Sequence, residues 1–146
     1  MRKVCFLSSG EGGNLKFLHF VLKSMKSPNF HLSVIADREC GATLFAQNNG
    51  IEYKIIEVKK NDQLSLISTL REFEPDLIFT TIHKMISPPV LDLYGERMVN
   101  LHYSLLPHYK GVIGMKGVES AIANGDVLLG VTTHKVVSEI DAGPIV

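Results

Sequence analysis

The chain of 146 residues contains no tryptophan and only two cysteines, Cys5 and Cys40. Two thiols at that separation form neither a metal-ligand pair nor a redox motif, which excludes a cysteine-based zinc site and a disulfide framework. Cys5 lies in an apolar run and reads as a buried thiol in a reducing, cytoplasmic setting. Net charge is also missing: 15 basic residues balance 15 acidic ones. Neither nucleic acid nor an anionic membrane is implied as an obligatory partner. No apolar stretch reaches the length of a membrane span. Met1-Arg2-Lys3 and the short apolar run after it faintly resemble a signal peptide. The polar, glycine-rich stretch from Ser8 to Asn14 offers no small-residue cleavage site, so a first core strand is the better reading. Six histidines are present without a His-x-x-x-His spacing, so no metal is expected. Repeats, low-complexity tracts and interdomain linkers are absent as well. What remains is a chain with 45% apolar residues, ordinary for a folded protein and long enough for one domain with a substantial core.

Apolar runs and helical patterns alternate along it. Strands are predicted over Val4–Leu7, Leu32–Ala36, Tyr53–Val58, Leu77–Thr81, Val99–Tyr103 and Gly130–Val137. Helices are predicted over Asn14–Met25, Ala42–Gln47, Gln63–Phe73, Pro88–Leu93 and Lys116–Ala123, the first stopped by Pro28 and the second closed by Asn49-Gly50. Alternation of this kind predicts an α/β, Rossmann-like fold: a mostly parallel sheet with helices on both faces. Ligands of such sheets bind beyond the carboxyl ends of the strands. The polar clusters fall there: Gly10–Asn14, Lys84–Pro89, His102–Pro107 and Ser138–Gly143. Pro144-Ile145-Val146 reads as the opening of a further strand.

Asn100 and His102 alternate on the fifth strand and so share a face. An amide donor beside an imidazolium can hold the negative oxygen of a tetrahedral intermediate. Asp141, in the loop after the sixth strand, serves as a turn residue before Ala142-Gly143-Pro144, or as an ion-pair partner that favours protonated His102. His134 and Thr132 share a face of the sixth strand; His134 supports Asp141 or the substrate, or is a structural strand histidine. His19, His31 and His108 read as surface residues. Gly10-Glu11-Gly12-Gly13-Asn14 is a backbone nest for a phosphate at a helix N-terminus, or a plain turn with Asn14 as N-cap. It is neither the dinucleotide fingerprint nor a Walker loop. Glu11 would repel a phosphate unless its side chain points outward. Lys84-Met85-Ile86-Ser87-Pro88-Pro89 could wall a pocket for a flat heteroaromatic ring, or is a Pro-terminated loop capping the next helix.

Together, Asn100-Leu101-His102-x-Ser104-Leu105-Leu106-Pro107, Gly130-Val131-Thr132-Thr133-His134 and Ile140-Asp141-Ala142-Gly143-Pro144-Ile145-Val146 resemble the folate-dependent formyltransferase superfamily, in its glycinamide ribonucleotide (GAR) branch. The resemblance runs over residues 1–146 and implies a single catalytic domain, C-terminally short of the family pattern. It implies 10-formyltetrahydrofolate as co-substrate and a primary amine as acceptor. Asn100, His102 and Asp141 take the catalytic positions, with Thr132 and His134 behind them. Gly10, Glu11, Gly12, Gly13, Asn14 and Ser104 fall at acceptor positions. Lys84, Met85, Ile86, Leu91, Ile140, Ala142 and Gly143 fall at positions flanking the pterin. Lys84 stands where the family often has Arg, which loses a planar guanidinium contact. Gly13 replaces the Ser of the family's phosphate loop, Tyr103 replaces a Pro, and Tyr109–Lys116 is a few residues longer than in the simplest members.

The expected activity is formylation of GAR in purine biosynthesis. The alternative acceptor is the amino group of a nucleotide-linked sugar. A deformylase would hand the formyl group to water, and a non-catalytic ligand-binding protein could use the same scaffold. Methionyl-tRNA is disfavoured by the balanced charge. The partners expected are a phosphorylated small-molecule amine and folate, with a homodimer allowed.

Overall fold

A computed structural model describes residues 1–26 and 29–146; the expected helix stop at Pro28 lies outside the described residues. The elements are β1 (Arg2–Ser8), α1 (Gly13–Ser24), β2 (Phe30–Ala36), α2 (Gly41–Asn48), β3 (Glu52–Ile55), α3 (Leu64–Phe73), β4 (Leu77–Thr81), α4 (Pro88–Tyr94), β5 (Met98–His102), α5 (Lys116–Ala123) and β6 (Thr132–Lys135). The strands form one sheet in the order β3-β2-β1-β4-β5-β6. All neighbours run parallel except β6, which pairs antiparallel with β5. The winding direction switches between β1 and β4, so the crevice such sheets use for ligands opens at their carboxyl ends.

Strand alternation sorts the core into two layers. Val4 and Phe6 of β1 face one way and pack with Leu15 of α1 and Ala42 and Ala46 of α2. Cys5 and Leu7 face the other way and pack with Leu66, Ile67 and Leu70 of α3 and Val90 of α4. A strand covered on both faces must be apolar on both, which is why β1 reads as an unbroken apolar run. Burial pushes the Cys5 thiol up to about 12 and keeps it an inert core group.

Several expectations shift. The third strand ends at Ile55 rather than Val58, because Val58 leaves the ladder to join the core with α3. The sixth is confined to Thr132–Lys135, since its pairing with β5 spans four residues. Helix α1 begins at Gly13, with Gly12 as its N-cap at φ +70°; Asn14 is therefore inside the helix and is not the cap. Beyond β6, Ile145 forms an antiparallel bridge with His134, so the last residues do extend the sheet edge. His19 is not a plain surface residue: its ring lies edge-on to Phe20 and Phe45, with centroids 5.6 and 5.4 Å away. His31 pairs with Glu52 at 3.2 Å, and His108 is exposed.

Candidate active site

The face on which the site is built is decided by Met98. Met98, Asn100 and His102 alternate along β5, and Met98 is buried with α3 and α4 in the core. Asn100 and His102 therefore point to that same side, past the last core residues, where the apolar layer gives way to a cavity. Register places His134 opposite Asn100 and Thr132 opposite His102. Four polar side chains thus stand in a square on neighbouring strands, a consequence of the two-residue repeat alone.

Asp141 completes the group from the loop after β6. Its backbone is left-handed, φ +49°, a conformation that Asp tolerates better than most residues and that costs about 1 kcal/mol or more. Gly143 makes the loop's approach feasible. A Cβ at this position would lie 1.8 Å from the Lys135 carbonyl oxygen.

The carboxylate is largely buried and has four neighbours. Oδ2 lies 3.2 Å from His102 Nδ1 and accepts the Gly111 backbone N–H at 2.8 Å. Oδ1 accepts from Asn100 Nδ2 at 3.4 Å and lies 3.3 Å from His134 Nε2. His102, 5% exposed, directs its other nitrogen at the Tyr109 carbonyl, 3.0 Å away. With a carboxylate on one side and a carbonyl on the other, both ring nitrogens have acceptors, the pattern an imidazolium satisfies. The Nδ1–H of His134 donates to the Lys135 carbonyl at 2.8 Å, which turns its Nε2 toward Asn100, 3.1 Å away, and Asp141. A buried carboxylate so surrounded is fixed in place before any substrate arrives.

The cavity beside this cluster has a volume of about 270 Å³ and is lined by Thr80 to Ile86, Asn100 to Tyr103, Gly111 to Gly114, His134 and Val136 to Asp141. Its walls are mainly apolar with few convergent polar groups, as expected for a small-molecule site. Lys84, Met85, Ile86 and Ile140 line it. Leu91 does not; it packs onto the core beneath, one helical turn past the α4 N-terminus. Ala142 and Gly143 also lie outside the lining, Gly143 being pressed onto β6.

Ser104 departs from its expected place at the acceptor. The strand ends at His102 and the chain turns, so the Ser104 hydroxyl is buried and donates to the His108 carbonyl. The Thr132 hydroxyl donates to the Ser104 carbonyl at 2.7 Å and accepts the Leu106 N–H at 3.0 Å. Both residues hold the turn that follows His102. Gly10 to Asn14 stand apart from the cavity lining. Glu11 points outward, its nearest cation being Lys16 at 3.9 Å, and its side chain lies over Gly41 at the start of α2. Among the described residues no group of three or more His, Cys, Asp or Glu is arranged to hold a metal, and no helix is long and apolar enough to cross a membrane.

Sequence reasoning singled out the segment Tyr109–Lys116 by its length but missed that Tyr109 and Gly111 contact the cluster through their peptide groups. A further signal was the glycine spacing at 111 and 114, where the chain adopts φ of +78° and +63°.

The formyl transferase family model matches residues 2–146. The chloroplastic phosphoribosylglycinamide formyltransferase of Vigna unguiculata is 31% identical over 99% of this chain, which spans 49% of that relative's length. Among solved structures, the phosphoribosylglycinamide formyltransferase of Anaplasma phagocytophilum is 30% identical with a TM-score of 0.86, over 99% of this chain and 69% of that one. Glycinamide ribonucleotide transformylase 1 of Symbiobacterium toebii is 25% identical with a TM-score of 0.87, over 100% of this chain and 71% of that one.

Proposed function

The chain belongs to the formyl transferase family, and from that membership and the cluster at the end of β5 we propose that it moves a formyl group from 10-formyltetrahydrofolate to a primary amine, GAR being the preferred acceptor. The observation that carries the reading is the Asp141 carboxylate shared between His102 and Asn100, with His134 accepting from Asn100 beside it, next to a cavity of ligand size. GAR is preferred because the relatives at 30% identity or above bear its name and because a glycine-rich loop opens α1, where an anion is favoured.

The acceptor nitrogen attacks the formyl carbon, and the carbonyl electron pair moves onto oxygen. His102 Nε2–H, released from the Tyr109 carbonyl, and an Asn100 amide N–H, released from its 3.4 Å contact with Asp141, donate to that oxygen. Such donors contribute most when they are fixed in a site of low dielectric. Asp141 keeps the imidazole oriented and balances its charge. Collapse of the intermediate breaks the bond from the formyl carbon to the folate nitrogen, and the proton lost by the amine passes to that nitrogen through a water held at Asp141. The products are a formamide and tetrahydrofolate. Met85, Ile86 and Ile140 offer apolar surface for the pterin, while Lys84 can meet the donor only as a point charge. No step uses a metal. The unpaired cysteines fit a cytoplasmic setting.

The test is direct. Incubation with 10-formyltetrahydrofolate and a panel of amines, headed by GAR and an amino-sugar nucleotide, should add one formyl mass to GAR. His102→Ala should cut transfer about 10²- to 10³-fold while folate binding, read by fluorescence titration, persists. An unchanged rate in that variant would sink the mechanism. Formate release without a formylated amine would replace transfer by hydrolysis.

A further inference from the structure

The imidazole nitrogen that must reach the formyl oxygen is occupied by the chain itself. His102 Nε2 donates to Tyr109 at 3.0 Å, and two residues on, Gly111 donates to Asp141 at 2.8 Å. Both contacts come from the segment after β5, whose backbone is left-handed at Tyr109 and Gly111, φ +57° and +78°. At its outer side the Tyr109 hydroxyl donates to Asp126 at 2.8 Å and accepts from Asn124 at 2.9 Å. A side-chain link also ties this segment to the loop after β6: Lys110 Nζ lies 2.6 Å from Glu139 Oε1. The ammonium holds the Glu139 carboxyl below its usual range.

Residues 111–114 and 138–141 line the same cavity. Lys110 sits between the two peptide groups that contact the cluster, and Glu139 sits two residues before Asp141. An ion pair joining the side chains at 110 and 139 therefore closes a ring. It runs from His102 through Tyr109 and Lys110 to Glu139, then by way of Asp141 back to His102. Lifting the Tyr109 carbonyl off the imidazole strains or breaks that link.

We propose that Lys110 and Glu139 form a latch that holds the site in a self-bonded resting state, and that both are positioning residues acting through Tyr109 and Asp141. This rests on the reading of His102 given above, since the latch matters to turnover only if Nε2 must meet the formyl oxygen. Donor binding exchanges the Tyr109 carbonyl for the formyl oxygen, and the latch sets how often the segment is lifted before the donor arrives. Because the pair is solvent-exposed, the effect is modest, roughly two- to five-fold in the lifted population. Amide exchange from a locally opened state scales with that population.

The experiment uses the full chain with Lys110→Ala, Glu139→Gln, and the charge swap Lys110→Glu/Glu139→Lys. Hydrogen–deuterium exchange at residues 109–114 should quicken by roughly two- to five-fold in each single variant, while exchange in β1 and β2 stays unchanged. The swap should return exchange toward the parent rate. In turnover, kcat/KM for 10-formyltetrahydrofolate should rise by the same factor in the single variants, with kcat moving less. Unchanged exchange in both single variants, or a swap no slower than either, would overturn the latch. Faster exchange with no formyl transfer in any version, parent included, would keep the latch and remove the catalytic reading instead.

Discussion

Two loops at the same end of the sheet treat their polar groups in opposite ways. At the β5–β6 corner, Asp141 alone engages His102, His134, Asn100 and the Gly111 N–H. In the loop after β1, α1 opens on Gly12 with no side-chain cap, and Glu11 faces solvent with Lys16 at 3.9 Å. One loop has its charges assembled; the other has N–H groups at a helix start left open. The contrast separates two tasks. Stabilising charge that develops during a reaction calls for donors fixed beforehand, whereas seizing an anion calls for donors without internal partners. A substrate that carries its reactive amine at one end and a phosphate at the other would use both loops at once.

The largest break in this comparison comes from Asp141→Asn. The amide keeps the volume and one oxygen but removes the charge that four neighbours share. Formyl transfer to GAR should fall about 10²- to 10³-fold, the scale on which preorganised groups act. The loss should appear in kcat, with donor binding much less affected. A fall confined to KM would mean that the corner binds and does not catalyse.

Gly143→Ala attacks the same corner through its backbone. The added carbon would lie 1.8 Å from the Lys135 carbonyl, so the loop must withdraw and carry Asp141 with it. Stability should drop by about 1–3 kcal/mol, the usual cost of overpacking, read as a lower urea midpoint, with activity reduced about tenfold on the scale of a 1 Å misplacement. Retained activity at lowered stability would show that Asp141 reaches His102 without the close pass over β6.

Much of this could be read from the chain, and the exceptions have physical causes. The bounds of β4 and α5 follow from apolar spacing closed by turn residues, and they coincide with the observed Leu77–Thr81 and Lys116–Ala123. The pairing of Asn100 with His102 on one face needs only strand alternation. Ser104 has the same parity, yet it leaves the face because the strand stops at His102, and strand ends depend on partners in the ladder. The narrowing of β6 has the same origin: pairing with β5 runs over four residues whatever the local propensity. Asp141 is legible as an acidic residue in a glycine-containing loop, but its approach depends on its own left-handed backbone and on the missing Cβ of Gly143. Tyr109 and Gly111 act through peptide groups, which every residue possesses, so no side-chain pattern could announce them.

The smallest effect belongs to the open loop. Glu11 is the charge there that argues against a phosphate, and its placement tempers the objection. The carboxylate lies over Gly41, so close that a Cβ would sit 2.4 Å from Oε2. That is the N-terminal turn of α2, where a negative charge is favoured by the helix dipole. The side chain is thereby drawn toward one helix start, leaving the start of α1 for a ligand. Its residual repulsion at an exposed position should amount to a few tenths of a kcal/mol up to about 1 kcal/mol. Glu11→Gln should therefore lower KM for GAR by roughly two- to fivefold at low ionic strength, with the gain shrinking as salt is added. KM for an unphosphorylated amine should not move. If both acceptors respond alike, or neither responds, the loop after β1 is a turn that starts a helix, and the phosphate must be held elsewhere.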